Sequence, residues 1–254
     1  MATANVAPLA GREPGLLGQM VVVIGGSAGI GFEVARHARA EGADLIIAAR
    51  DTTRLRRAAG ELGARRAAAF DATDPGSLER FFAELPGPVD HVMVTAGRPR
   101  YGRLAELDYE QTRAALDEHL MLAFEVARNA PGNVRPGGSL LFMGGTGSRR
   151  PGLGRAIVST VTVAMPALVA NLALELAPIR VNLIAPGFVD TPLSAEFLGD
   201  QLEERRRQLR ATLPIGRVVG PADVGALAVH VMTNTALTGA TYDIDGGQQL
   251  VSSS

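Results

Sequence analysis

Short apolar runs rich in β-branched residues recur along the chain at 20–24, 45–49, 66–70, 89–94, 139–143, 181–184 and 241–244. Their near-continuous apolar character marks strands that are buried on both faces. Between them, apolar positions at helical spacing predict helices over 29–40, 52–62, 75–84, 108–129, 155–176, 196–211 and 221–232. Asp74 stands just before the third of these and is the expected N-cap. Strands and helices alternating in this way imply a doubly wound, parallel, seven-stranded sheet with helices on both faces. No repeat, linker or break in composition divides the chain, so a single α/β domain is expected over 19–254. Residues 1–18 are rich in Ala, Pro and Gly and read as a flexible N-terminal arm. They lack the basic start and apolar run of a signal peptide.

Composition narrows the chemistry. Lys plus Arg number 25 against 26 Asp plus Glu, which gives no electrostatic case for nucleic acid or an anionic membrane surface. The chain has no cysteine, so disulfides, thiolate nucleophiles and cysteine-ligated metals are excluded. Nothing suggests secretion, and a cytoplasmic location is expected. The four histidines are scattered, with no His-x-x-x-His pair, so no metal site is expected. The longest apolar stretch, 156–174, is interrupted by Ser159, Thr160, Thr162, Pro166 and Asn171 and reads as a buried helix rather than a membrane span. That helix carries apolar or small residues on almost every face. The sheet covers one of them. A neighbouring subunit is the simplest cover for another, predicting a homodimer or homotetramer; the alternative is cover by the preceding long helix alone.

The densest local signal is Val21-Val22-Val23-Ile24-Gly25-Gly26-Ser27-Ala28-Gly29-Ile30-Gly31, placed after the first strand and opening the first helix. Glycines there let the backbone turn sharply and approach a pyrophosphate, and the helix N-terminus offers free amides and a favourable dipole. This is the phosphate loop of a Rossmann fold.

The Gly-x-x-x-Gly-x-Gly spacing resembles that of the short-chain dehydrogenase/reductase family, and the likeness covers nearly all of the chain. Asp71, after the third strand, falls where the family's Asp contacts adenine. Thr95-Ala96-Gly97 resembles the end of the family's Asn-Asn-Ala-Gly segment. Arg180-Val181-Asn182 leads into Ala185-Pro186-Gly187-Phe188-Val189-Asp190-Thr191-Pro192, which resembles the nicotinamide-side loop. Asp243-Ile244-Asp245-Gly246-Gly247 resembles the last strand and turn. The resemblance implies cofactor contacts by Gly25, Ser27, Ala28, Gly29, Ile30, Gly31, Arg50, Asp71, Ala72, Ala96, Gly97, Pro186, Gly187, Val189 and Thr191, and a substrate loop over about 187–215. An NAD-preferring site would place an acidic residue at the end of the second strand. Here Ala49 takes that place, followed by Arg50, which suits a 2′-phosphate. NADP(H) is therefore expected over NAD(H). Two other readings stand beside it: Asp51 as the ribose ligand, and Arg50 as a solvated residue at a helix start.

The family's usual catalytic residues are Asn, Ser, Tyr and Lys. Counting from the matched segments, the Ser falls on Gly145 (or Gly144), the Tyr on Val158, the Lys on Thr162 and the Asn on His119. All 25 basic residues are arginine, so no lysine exists to take the role elsewhere. Arginine keeps its proton and makes a poor proton shuttle, and valine transfers none. Pro166 falls inside the helix that would carry the Tyr and Lys, where it removes a backbone bond unless the helix bends or restarts. His119 is the candidate catalytic residue, since imidazole titrates near neutrality; the plain alternative is a helix histidine bonded to a backbone carbonyl. Arg98, Arg100, Arg149 and Arg150 lie on loops at the strand C-terminal edge. They either hold an acidic substrate or are solvated. His91, at the start of a strand, reads as structural. The expected function is hydride transfer between NADP(H) and a carbonyl/alcohol or activated alkene, on a small-molecule substrate, with a non-standard proton donor. A non-redox cyclase, dehydratase or isomerase and a non-catalytic dinucleotide-binding protein are the alternatives.

Overall fold

A computed structural model describes residues 13–251. Seven strands form one sheet: β1 (Met20–Ile24), β2 (Asp44–Ala49), β3 (Arg66–Ala69), β4 (Val89–Val94), β5 (Val134–Met143), β6 (Arg180–Pro186) and β7 (Thr241–Ile244). Their order across the sheet is β3-β2-β1-β4-β5-β6-β7, and every pairing is parallel. The order reverses between β1 and β4, and the crevice at the carboxyl ends of those two strands is where such sheets bind ligands.

The helices are α1 (Gly29–Ala40), α2 (Thr52–Leu62), α3 (Pro75–Ala83), α4 (Tyr109–Leu116), α5 (Leu122–Arg128), α6 (Ala156–Glu175), α7 (Pro192–Leu198), α8 (Leu202–Thr212) and α9 (Pro221–Thr233). Alternation within each strand feeds two cores. Val22, Ile24, Ile46, Val92 and Phe142 meet Leu78 and Phe82 of α3, Val126 of α5 and Met165 and Val169 of α6. Val21, Val23, Leu45, Ile47 and Met93 meet Val34 of α1, Leu55 of α2 and Val224 and Ala228 of α9. The expected Rossmann architecture is thus observed, with Asp74 capping α3 by accepting the Ser77 amide at 3.0 Å.

Three elements differ from the sequence reading. The helix expected over 108–129 is interrupted by a π-helical turn, Asp117–Met121. The helix expected over 196–211 is two helices that part at Gly199, whose φ of +48° suits glycine. β5 begins five residues early, because Val134 pairs with Val89 before the ladder shifts register. α6 runs unbroken through Pro166. Of the expected arm, residues 1–12 lie outside the described residues. The remainder is tied down: Leu16 is fully buried, and its amide donates to the Glu41 carbonyl at 2.9 Å.

Candidate active site

The loop after β1 is shaped by close approach. A Cβ on Gly31 would lie 2.3 Å from the Gly25 carbonyl oxygen and 2.4 Å from Thr95 Oγ1, so no side chain fits. Gly29 has φ +55°. Its Cβ direction is nearly open, the nearest atoms being Thr191 Cβ and Cγ2 at 3.7 Å. Two segments 162 residues apart therefore face each other across the end of β1: the glycine loop and the loop after β6. The first helical amide to find a carbonyl is Phe32, onto Ala28 at 3.3 Å, which leaves the amides ahead of it at the open end of α1.

Each neighbouring loop is pinned. The amides of Thr95 and Ala96 both donate to the Ile24 carbonyl, at 2.8 and 3.1 Å. Gly187 N–H donates to Ile244 O at 3.2 Å and Phe188 N–H to Gln248 Oε1 at 2.9 Å. Val189 bridges to Val219, and Thr191 caps α7 by accepting the Ser194 amide at 3.2 Å. Asp190 receives a two-pronged clasp from Arg206, at 2.8 and 2.7 Å. The paired carboxylates, Asp190 first and Glu203 second, raise the Arg206 guanidinium. Sequence reading missed this clasp, since nothing local at 190 points to a partner at 206.

At the edge of the crevice Arg50 reaches toward Asp71, with Nη1–Oδ2 at 3.9 Å, both half-exposed. Asp71 also accepts the Thr73 amide and hydroxyl, at 3.0 and 2.8 Å. Ala72 is buried. Asp51, the competing ribose ligand, caps α2 by accepting the Arg54 amide at 2.9 Å. It therefore has a structural task of its own.

The three positions that the resemblance assigns to Ser, Tyr and Lys lie along one wall. A Cβ on Gly145 would stand 3.2 Å from Thr162 Cγ2 and 3.6 Å from the Pro186 carbonyl oxygen. Thr162 is buried, and its hydroxyl donates to the Val158 carbonyl at 2.8 Å, so it offers the cleft no proton. Val158, half-buried in the first turn of α6, offers none either. His119 sits in the π-helical turn. Its Nδ1–H donates to the Ala115 carbonyl at 3.2 Å, which leaves the Nε2 lone pair free. That Nε2 lies 3.2 Å from where a Cβ on Gly97 would stand. The ring thus has the backbone bond of a structural histidine on one side and the cofactor segment on the other.

Of the four loop arginines, three are engaged. Arg98 pairs with Glu196 at 2.5 Å, Arg149 with Asp243, and Arg150 donates to the Val251 carbonyl. Arg100 has no partner among the described residues. His91 is buried, taking the Ser139 hydroxyl on Nδ1 and donating from Nε2 to Gln19 Oε1, both at 2.8 Å. Burial first, and the Arg180 charge second, lower its pKa to about 3. Arg180 and Asn182 are structural: Arg180 donates to the carbonyls of Val231 and Met232 in the last turn of α9 and of Asn234 and Leu237 beyond it, and Asn182 Nδ2 to that of Leu237. A cavity lined by Pro88, Arg135, Glu175 and Pro178 lies by the amino ends of β4, β5 and β6, the opposite end of the strands from the glycine loop.

A family model described as enoyl-(acyl carrier protein) reductase matches residues 25–249. This chain belongs to the short-chain dehydrogenase/reductase family. One curated member, the short-chain dehydrogenase/reductase ATR9 of Stachybotrys chlorohalonatus, is 29% identical over 92% of this chain and 98% of its own. The structure of MalC, a reductase/Diels-Alderase from Malbranchea aurantiaca, superposes with a TM-score of 0.87 at 27% identity, covering 94% of this chain and 99% of that one. A small-chain dehydrogenase in complex with NADPH superposes with a TM-score of 0.79 at 28% identity, covering 91% and 99%. In this short-chain dehydrogenase/reductase, the glycine loop and the Pro186–Pro192 loop meet at the switch point of the sheet.

Proposed function

We propose that this protein is an NADP(H)-dependent oxidoreductase that moves a hydride to or from a carbonyl/alcohol or activated alkene and uses a proton donor other than the family's tyrosine. The observation that carries this reading is the meeting of Gly29 with Thr191, which sets the glycine loop and the loop after β6 face to face at the end of β1. The nicotinamide supplies the hydride when bound. The residues of this chain hold and orient it: the amides of Ser27, Ala28, Gly29, Ile30 and Gly31 meet the pyrophosphate, Asp71 the adenine, and Val189 and Thr191 the carboxamide. Ala49 leaves room where a carboxylate would repel a 2′-phosphate, and Arg50 attracts one. The NADPH complex of a similar dehydrogenase supports this choice of cofactor.

His119 is the proposed proton carrier. With Nδ1–H fixed on Ala115 O, the proton moves through Nε2, the atom that faces Gly97. NADPH consumption in the presence of activated carbonyl compounds and alkenes tests the assignment. Conversion of a substrate with no net change in cofactor would move it to a second reading, non-redox chemistry in the same pocket. Val158 and the absence of lysine favour that reading, as does the likeness to a reductase that is also a Diels-Alderase. Cofactor binding without any conversion would mark a non-catalytic binding protein.

The protein is proposed to work as a homodimer or homotetramer. α6 presents Thr160, Val163, Ala167, Ala170 and Leu174 to solvent as one stripe, with Val163 66% and Leu174 80% exposed. A second copy of the same stripe is the simplest cover.

A further inference from the structure

The backbone of the loop after β6 is held by a side chain 60 residues further along the chain. Phe188 N–H donates to Gln248 Oε1 at 2.9 Å, and both residues are half-buried. A backbone amide can only donate, so the side-chain carbonyl of Gln248, and not its NH2, faces the loop. The neighbouring amides are held by main chain: Gly187 N–H by Ile244 O at 3.2 Å and Asp190 N–H by Val219 O at 2.9 Å. Phe188 stands between them, next to Val189 and close before Thr191.

The contact is built from both sides. A Cβ on Gly187 would lie 2.5 Å from Gln248 Oε1 and 2.7 Å from Asp245 Cβ, so only glycine at 187 lets the turn after β7 sit there. The same turn is wedged against Pro214, just beyond α8, where a Cβ on Gly247 would lie 2.6 Å from the proline Cγ. Inside the turn the Asp245 carboxylate accepts the Gly247 and Gln249 amides at 2.9 and 3.0 Å, and Gln248 N–H donates to Asp245 O at 3.1 Å. The Gln248 side chain therefore springs from a fixed backbone, and little freedom is lost in aiming its carbonyl. Ties to the loop after β5 hold the stretch on either side of the turn: Arg149 clasps Asp243, and Arg150 donates to Val251 O.

Without an acceptor at 248 the Phe188 amide is left part-buried and unpaired unless the backbone turns to find another partner, and residues 189–191 turn with it. We propose that Gln248 is a positioning residue for the nicotinamide half of the cofactor, holding the loop after β6 so that Val189 and Thr191 face it. The proposal rests on reading that loop as the nicotinamide side of a dinucleotide site. The only side-chain hydrogen bond of Gln248 among the described residues goes to Phe188, so the half of the cofactor that carries the adenine and the 2′-phosphate is expected not to depend on it.

The test is titration of the full chain with NADPH and with 2′,5′-ADP, a fragment that lacks the nicotinamide. Gln248→Ala is expected to weaken NADPH by about three- to tenfold, the worth of one hydrogen bond, and to leave 2′,5′-ADP within about twofold of the parent. Gln248→Glu keeps an acceptor at the same reach and is expected to recover most of the NADPH affinity. Amide hydrogen exchange on the cofactor-free proteins is expected to be about tenfold faster at Phe188 in Gln248→Ala than in the parent and unchanged at Gly187. Unchanged NADPH affinity in Gln248→Ala, equal weakening of both ligands, no recovery in Gln248→Glu, or unchanged exchange at Phe188 would each overturn the assignment. Failure of the cofactor reading appears instead in the parent, as no saturable binding of NADPH, and would overturn the nicotinamide role with it; the exchange rates still decide whether Gln248 holds the loop.

Discussion

His119 Nε2 and Gly97 are close enough that a Cβ on Gly97 would stand 3.2 Å from that nitrogen. Glycine at 97, with φ +112°, leaves the imidazole facing the end of β4. The other face of the ring is fixed by Ala115 O, so only Nε2 is available for proton transfer. Replacing His119 by Phe is expected to lower kcat by roughly 10²–10⁴ while leaving NADPH affinity unchanged. Steady-state rates and a cofactor titration on the same preparation check this. A kcat within twofold of the parent would leave His119 a structural residue only.

Gly31 and Gly29 separate close packing from backbone conformation. In Gly31→Ala the new Cβ would press on the Gly25 carbonyl from 2.3 Å, and that carbonyl is backbone and cannot swing aside. A loss of about 1–3 kcal/mol in stability is expected, together with weakened NADPH binding. In Gly29→Ala the nearest atom is 3.7 Å away, so the left-handed backbone alone costs about 1–2 kcal/mol. Urea unfolding with and without NADPH measures both. An unchanged Gly31→Ala protein would contradict the packing described.

His91 makes stability depend on pH. Its pKa falls from the ordinary 6.5 to about 3 in the folded protein. Between those values the unfolded chain binds a proton that the native chain does not, so stability rises with pH across this window and is complete above it. Lowering the pH from about 7.5 to about 5 is expected to remove about 2 kcal/mol through this group. Unfolding at the two pH values, repeated with His91→Asn, measures it. The variant should lose most of that difference, and an equal pH dependence in both would contradict it.

The exposed stripe of α6 predicts assembly. Val163→Arg is expected to turn a dimer or tetramer into a monomer in light scattering at micromolar concentration without lowering monomer stability, because Val163 is 66% exposed. A parent protein that is already monomeric would contradict the proposed interface.

The sheet was legible because its central strands β1, β2 and β6 are buried on both faces and turn residues bound the elements, as at Gly25 and Asp74. The glycine loop was legible for the same reason: its chemistry is local. What stayed hidden depends on partners distant in sequence. Nothing near Arg98, Arg149 or Arg150 reveals Glu196, Asp243 or the Val251 carbonyl. Leu16 looks like part of a loose arm until Glu41 is beside it. The π-helical turn at Asp117–Met121 leaves no mark in composition, and the division at Gly199 was overridden by the charged helical pattern on either side. Asp51 shows the reverse case: its capping of α2 is a local signal that competed with a more specific ligand role.

The most direct test of the central claim is a side-by-side titration with NADPH and NADH, followed by nicotinamide fluorescence, on the parent protein and on Ala49→Asp/Arg50→Ala. The account predicts saturable binding of both, tighter for NADPH by about tenfold or more, with the order reversed in the double variant. No saturable binding of either nucleotide to the parent protein would contradict it.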